Sequence, residues 1–222
     1  MKRLLLASTA FILLIGCQGQ ASTATLDLTF KTDDEIQRSL LLTASERVIE
    51  RMAFGLEESV PDINVEHNGD TERITVIMSQ EESAAILQEN LARPIGFQVM
   101  IEAEEDETPD ISNEQYGSFM YTDITEEHID WVQADTVEGG QGILNITFDE
   151  SGQEMLTQLF ADNIGKRIGL FVRGGLVSTY IIEGSDDDRK NIIITGIPSP
   201  ELANIFADDV NVGTYVTFTP IP

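Results

Sequence analysis

The only long apolar run of this chain lies at its N-terminus and is too short to cross a membrane. Residues 4–15 are apolar apart from two hydroxyl side chains, whereas a membrane-spanning helix needs about 20 apolar residues. Lys2 and Arg3 precede the run with positive charge, which is typical of a secretory signal peptide. We therefore predict that residues 1–16 are a signal peptide, and we expect no membrane-spanning helix in the remainder.

The single cysteine of the chain directly follows this run. The sequence Leu14-Ile15-Gly16-Cys17 resembles the lipobox of bacterial lipoproteins, which implies cleavage before Cys17 and attachment of lipid to it. Several acyl chains on one residue give stable anchoring. The alternative is an ordinary secretory signal with an unrelated cysteine. Residues 17–24 are small and polar and indicate a flexible tether.

The charge of the chain excludes one class of partner. It has 39 acidic and 13 basic residues, and after loss of Lys2 and Arg3 the mature chain would carry a formal charge of about −28. Such a polyanion is repelled by nucleic-acid phosphates and by anionic lipid headgroups. We expect no nucleic-acid binding, and contact with the membrane only through the lipid anchor.

Residues 25–104 predict a first subdomain, called the base. Its elements follow the order strand, helix, strand, strand, helix, strand, which is the ferredoxin-like split βαβ layout. The predicted strands are 25–30, 63–66, 73–78 and 95–101. One predicted helix opens at the capping box of Thr32 and Glu35 and runs to about residue 57, and the other covers 79–92. An acidic stretch at 105–118 is interpreted as a linker.

Residues 119–222 predict a second α+β subdomain, called the head, with helices on one face of its sheets. The predicted strands are 119–122, 129–137, 142–148, 167–172, 176–182, 191–195 and 213–218, and the predicted helices are 149–163 and 199–210. The sequence leaves two alternatives for the last strand, pairing within the head or return to the base. The fold class expected for the whole chain is therefore α+β.

Several short runs, taken in order, resemble the first periplasmic domain of SecD, the accessory subunit of the bacterial Sec translocon. In the base these runs are Arg47–Arg51 and Gly69-Asp70 with Arg73-Ile74. In the head they are Tyr121–Thr125, Ile146–Gly152, Asn163–Ile168, Val177-Ser178, Ile181-Ile182, Ile194–Gly196 and Pro200–Ala203. The resemblance spans nearly all of residues 25–222 and implies a base followed by a head.

The departures from SecD limit what this resemblance implies about function. SecD continues into membrane helices, and its Asp-Leu-x-Gly-Gly run is replaced here by Leu26-Asp27-Leu28-Thr29-Phe30. The Pro-Gly that follows its Arg-Ile strand is also missing. Proton-driven transport requires ionisable groups inside the membrane. The resemblance therefore implies contact with exported polypeptides or with other envelope proteins, rather than transport.

The sequence shows no constellation for catalysis, metal binding or a cofactor. His67 and His128 have no partner at metal-ligand spacing, and Gly139–Gly142 lacks the lysine of a phosphate loop. Asp186–Asp188 lacks the ligand spacing of an EF-hand and is better interpreted as a solvated turn. We expect a protein that is not an enzyme, with no metal and no cofactor.

Phe119, Tyr121 and Trp131 lie close together in the sequence at the start of the head. Core packing is the simpler interpretation, and a partly exposed groove for unfolded peptide is the functional one. Our first hypothesis is an envelope lipoprotein that faces the periplasm and binds exported polypeptides or Sec and envelope partners. Since Gln18 rather than Asp follows the cysteine, an outer-membrane location is favoured in a cell with two membranes. The alternative is an assembly lipoprotein with a fixed protein partner and no role in export; an enzyme is a third possibility.

Overall fold

The computed structural model describes residues 22–57, 61–68, 71–184 and 190–221. The predicted signal peptide, Cys17 and Asp186–Asp188 lie outside these residues. The strands are β1 Ser22–Phe30, β2 Asp62–Asn68, β3 Thr71–Met78, β4 Gln98–Glu102, β5 Ile111–Asn113, β6 Gly117–Thr125, β7 Ile129–Thr136, β8 Gly142–Phe148, β9 Arg167–Val172, β10 Gly175–Ile181, β11 Asn191–Ile197 and β12 Val216–Ile221. The helices are α1 Glu35–Glu57, α2 Glu81–Ala92, α3 Glu150–Asp162 and α4 Pro200–Tyr215, and a 3₁₀ turn covers Glu126–His128.

The base is a four-stranded antiparallel sheet with the order β12-β1-β3-β2. Strand β1 alternates between buried and partly exposed positions, because one face of the sheet packs on helices and the other faces solvent. Leu26 and Leu28 of β1 are fully buried in the base core, together with Leu41 and Ile49 of α1 and Leu87 of α2. This is the split βαβ arrangement, and the predicted α+β fold class is confirmed.

The fourth strand of the base differs from the sequence-based assignment. The predicted strand at 95–101 becomes β4, and it pairs with β6 and β9 in the head instead of with β1. Its place in the base is taken by β12, which lies antiparallel to β1. The elements from β4 to α4 are thus inserted between α2 and the last base strand. Local sequence patterns cannot distinguish two strands of similar composition that compete for one sheet edge.

The head consists of two sheets packed around one core. The five-stranded sheet has the order β10-β9-β4-β6-β5 and the three-stranded sheet the order β11-β8-β7. Helices α3 and α4 complete this core, in which Phe97, Phe148, Leu156 and Phe160 are almost fully buried. The predicted linker at 105–118 contains β5 and the first residues of β6, and the predicted tether at 17–24 includes the start of β1.

Helix caps define where the head helices begin. The Asp149 side chain accepts a hydrogen bond from the Gly152 N–H at 2.7 Å, and the Ser199 hydroxyl accepts one from the Leu202 N–H at 3.2 Å. Both helices therefore start where the sequence predicts. The cap of the 3₁₀ turn is Thr125.

Helix α4 extends to Tyr215, well beyond its predicted end near residue 210. Gly213 was expected to start a strand, but it lies inside the helix, where a Cβ atom would stand only 2.4 Å from the Cβ of Ile95. The glycine thus permits close packing of α4 against the start of the head. It does not end the helix.

The C-terminal half of α4 covers the free edge of strand β7. The Asn211 side chain accepts a hydrogen bond from the Val132 N–H at 2.9 Å and donates one to the Val132 carbonyl at 2.7 Å. One turn later, the Tyr215 hydroxyl donates to the carbonyls of Ile129 and Asp130. An amide side chain therefore supplies the hydrogen bonds that another strand would otherwise make. We call this the covered edge.

Helix α4 is also tied to the base by ion pairs. The Asp208 carboxylate, which is largely buried, accepts two hydrogen bonds from the Arg47 guanidinium of α1, at 2.6 and 2.8 Å. Arg51, also on α1, contacts Asp208 at 3.4 Å and Asp209 at 2.7 Å. Salt bridges of this bidentate kind fix orientation, and this one holds α4 against α1 of the base.

Candidate functional site: an apolar groove on the outer face of the five-stranded sheet

A small apolar cluster lies on the face of the five-stranded sheet opposite the head core. Met100 and Phe119 are fully buried, and Phe171 is 4% exposed. The rings of Phe119 and Phe171 meet edge to face, with centroids 5.4 Å apart, as aromatic pairs prefer. Ile111 and Leu176 pack at the margin. All five residues belong to strands, so this apolar cluster, which we call the outer-face cluster, contains no helix residue.

Gly169 provides the floor of this cluster. A Cβ atom at this position would stand 2.7 Å from Phe171 Cε2, 3.0 Å from Phe119 Cε1 and 3.1 Å from Leu176 Cδ1. A glycine inside a strand is unfavourable unless something approaches the backbone closely. Here two aromatic rings and a leucine make that approach, so Gly169 allows side chains from three strands to converge.

An ion pair borders one side of the cluster. The Arg167 backbone N–H donates to Glu102 at 3.1 Å, its Nε donates to the same carboxylate at 3.0 Å, and a further contact joins Nη2 to Glu102. The Arg167 guanidinium also lies 6.0 Å from the centre of the Phe119 ring, a cation–π distance. These hydrogen bonds lower the pKa of Glu102 below its usual range, because they stabilise the charged carboxylate.

Beside the cluster runs a groove of about 650 Å³, which we call the outer-face groove. Its apolar lining is Phe97, Met100, Ile111, Tyr121 and Phe171. Glu126 and Glu127 line it from the 3₁₀ turn, and no basic side chain lines it. This volume is within the usual range for ligand sites, roughly 300–1,000 Å³. An apolar floor with an acidic end fits an apolar segment that carries positive charge.

The groove adjoins an open strand edge. Strand β5 pairs with β6 only over residues 117–119, whereas β6 continues to Thr125. The Asp110 carboxylate accepts the Tyr121 N–H at 2.8 Å where this short pairing ends. Among the described strands, the remaining part of β6 pairs with β4 alone. A strand that has a strand partner on one side only, beside a groove, is a suitable place for a peptide to add as a further strand. We call this the open edge.

The structure separates the three aromatic residues singled out in the sequence. Phe119 is in the outer-face cluster, and Tyr121, which is 56% exposed, lines the groove. Trp131 lies elsewhere, half-buried against the base core, with its ring 5.9 Å from that of Tyr215. It contributes to packing between base and head.

Met100, Ile111 and Phe171 were not recognised from the sequence. A signal for two of them was present, because the runs at residues 99–101 and 170–172 are continuously apolar. Strands with both faces buried show this pattern in place of alternation.

The remaining candidate residues have structural contacts. His67 Nδ1 lies 2.8 Å from a Glu72 carboxylate oxygen, and His128 takes part in capping the 3₁₀ turn through Thr125. Within the described residues, no group of three or more histidine, cysteine or acidic side chains is arranged to hold a metal ion. The described helices include none that is both long and apolar enough to span a bilayer.

No protein-family model matches the chain, and no curated protein matches its sequence. Solved structures do resemble its fold. SecDF of Thermus thermophilus, described as a translocon-associated membrane protein, gives a TM-score of 0.54 at 15% identity, over 91% of this chain and 30% of that one. SecDF in its super-membrane-facing form gives 0.50 at 15% identity, over 92% and 30%. A structure of SecDF described as a membrane component that enhances protein export gives 0.48 at 15% identity, over 89% and 99%.

At this identity the likeness concerns the fold alone. The fold is SecD-like, as the short sequence runs suggested, and the chain spans about 30% of the length of two of these SecDF chains.

Proposed function

We propose that this protein is a non-catalytic module of the cell envelope that binds extended segments of exported polypeptides in the outer-face groove. The observation that carries the proposal is the juxtaposition of that groove with the open edge of β6. Main-chain hydrogen bonds to the edge would give affinity for any extended chain, and the apolar floor would accept alternate side chains.

The SecD-like fold supports this proposal, since one of the resembling proteins is a translocon-associated membrane protein. The leader sequence supports an envelope location facing the periplasm, with Cys17 as lipid anchor. The acidic surface supports clients that carry positive charge, because Glu126 and Glu127 have no ion-pair partner among the described residues.

The test is site-specific photocrosslinking in cells that are actively secreting protein. One variant carries the crosslinker at Tyr121 in the groove. The control carries it at Phe54 of α1, which is 52% exposed, close to the 56% of Tyr121, and does not line the groove. Many unrelated exported chains crosslinked at position 121, and few at position 54, are the expected result.

A different outcome would favour the alternative function. Recovery of one stoichiometric envelope protein at position 121 would contradict binding of many clients, and it would indicate an assembly lipoprotein with a fixed partner. Equal recovery at both positions would show that the groove has no special role.

A further inference from the structure

A second cavity lies where the base meets the head. It has a volume of about 310 Å³, at the lower end of the usual range for small-molecule sites. Its apolar walls come from both cores, with Val48, Leu91 and Val212 from the base core and Ile95 from the head core. We call it the junction cavity. It is separate from the outer-face groove, although the 3₁₀ turn borders both.

The junction cavity is lined by basic side chains that form no ion pair with the described residues. Most described arginine and lysine side chains form ion pairs with aspartate or glutamate. In a chain with 39 acidic residues, partners for a cation are abundant. Lys31 and Arg173 nevertheless make no ion pair with any described residue, and both line this cavity. Arg93 also lines it but is bound to Glu89 at 2.5 Å.

The backbone at Arg173 adds an independent observation. Arg173 has a φ of 52°, and among the described residues it is the one non-glycine with positive φ. It occupies the first central position of the two-residue turn between β9 and β10, where glycine, asparagine or aspartate is favoured. Strained backbone of this kind is concentrated at functional sites. Arg173 is exposed and forms no ion pair with a described residue, so its guanidinium is accessible to a ligand in the cavity.

The acidic residues that line the cavity determine which other charge a ligand must carry. Asp209 is already bound to Arg51. Glu126 and Glu127 make no ion pair with a described residue, and they line the cavity from the 3₁₀ turn. The uncommitted charges are therefore two positive and two negative. A ligand that carries one sign alone would be attracted by one pair and repelled by the other.

We propose that the junction cavity binds a small zwitterion with an apolar body, namely an apolar amino acid or a short apolar peptide with both termini free. Its carboxylate meets Lys31 and Arg173, and its ammonium meets Glu126 and Glu127. The apolar group packs between the base and head walls. This proposal shares Glu126 and Glu127 with the outer-face groove, but it rests on the lining of the junction cavity and not on polypeptide binding in the groove.

Calorimetric titration of the full chain with four probes tests the charge requirement. The probes are leucine, dileucine, leucinol, which lacks the carboxylate, and N-acetyl-leucine, which lacks the ammonium. We expect leucine or dileucine to bind, and both single-charge analogues to bind at least tenfold more weakly. Stronger binding of leucine would identify a free amino acid as the ligand, and stronger binding of dileucine would identify peptide ends. Equal binding of N-acetyl-leucine, or no heat from either zwitterion at millimolar concentration, would overturn the proposal.

Variants separate loss of binding from loss of fold. Arg173→Asn removes the guanidinium and places a favoured residue in the turn, so the melting temperature should stay the same or rise while affinity falls at least tenfold. Lys31→Ala should cause a similar loss of affinity. Lys190→Ala, an exposed lysine that does not line the cavity, is the matched control and should bind as the parent does. Unchanged affinity of the Arg173→Asn variant would overturn the proposal.

Discussion

The two strand edges of the head that flank the 3₁₀ turn are treated in opposite ways. Strand β7 ends its three-stranded sheet, and Asn211 and Tyr215 of α4 occupy its hydrogen-bonding groups. Strand β6 lies next to the edge of the five-stranded sheet, and beyond residue 119 it has no second strand partner among the described residues. Helix α4 covers the first edge, whereas the second is paired with a strand over three residues and is bound beyond them by individual side chains.

The comparison of the two edges shows that this protein has a means of covering a strand edge and applies it fully only to β7. An uncovered edge is a hazard, because it can pair with other chains and aggregate. This protein covers β7 with a side chain that copies the hydrogen bonding of a strand. On β6 beyond residue 119, Asp110 accepts the Tyr121 N–H and His128 accepts the Thr125 N–H, with no second strand among the described residues. We therefore interpret the open edge as a retained binding surface.

The largest expected effect comes from breaking the covered edge. Asn211→Ala removes both hydrogen bonds to Val132, which is 1% exposed, and leaves its N–H and carbonyl without partners. We expect a loss of about 2–4 kcal/mol in the free energy of unfolding, measured by urea denaturation. The control is Asn204→Ala on the exposed side of the same helix, for which we expect a change within about 0.5 kcal/mol. Equal effects of the two variants would show that α4 does not cover β7 through this amide.

Substitution of Gly169, the floor of the outer-face cluster, should give the next largest loss of stability. Gly169→Ala places a methyl group within 3.1 Å of three side chains, and overpacking of this kind costs about 1–3 kcal/mol. The matched control is Gly175→Ala on the neighbouring strand, where a Cβ atom would be 3.5 Å from the Val172 carbonyl oxygen. Urea denaturation of both variants checks this. A Gly169→Ala variant as stable as the Gly175→Ala variant would mean that the cluster is loosely packed.

The sequence predicted most elements of the fold, but it assigned β4 to the base sheet and gave the return of the last strand to the base only as an option. The patterns for β1, α1 and the β2–β3 hairpin are local, so alternation and helical spacing were sufficient. The pairing of β12 with β1 depends on contacts between the two ends of the described chain, and local patterns carry no record of such contacts.

The groove was only partly predictable for the same reason. Tyr121 was identified as a candidate, but Trp131, grouped with it by position in the sequence, is in the other sheet. The need for a glycine at position 169 is apparent only in the structure, where Phe119 and Phe171 approach it from different strands. The sequence pattern therefore suggested a binding site built from aromatic residues, whereas the pairing of the strands determines which of those residues line the groove.

The ion pair beside the cluster predicts a smaller, pH-dependent effect. Because the folded-state pKa of Glu102 lies below the ordinary value of about 4.3, the pair stabilises the fold above that pH. This stabilisation is lost as the pH falls through the folded-state pKa. Glu102→Gln should therefore lower stability by about 0.5–1 kcal/mol at neutral pH and reduce the dependence of unfolding on acid.

Urea denaturation at neutral pH and at pH 3 checks this prediction. The matched control is Glu105→Gln, an exposed glutamate three residues along the chain that forms no ion pair with a described residue. A Glu102→Gln variant with the same acid dependence as the Glu105→Gln variant would show that Arg167 does not hold Glu102 in its charged form.

Substitution of Tyr121 should have the smallest effect on stability and the clearest effect on binding. Tyr121 is more than half exposed, so Tyr121→Ala should change the free energy of unfolding by no more than about 0.5 kcal/mol. If the open edge receives extended peptides, loss of this aromatic side chain from the groove should weaken binding of a labelled peptide that alternates leucine and lysine by about tenfold, as expected for an aromatic hot spot. Phe54→Ala on α1 removes an aromatic of similar exposure outside the groove and should leave the affinity unchanged. Fluorescence anisotropy measures both affinities. Equal affinities of the Tyr121→Ala and Phe54→Ala variants would mean that the aromatic side chain in the groove does not contribute to peptide binding. The open edge of β6 would then need another explanation.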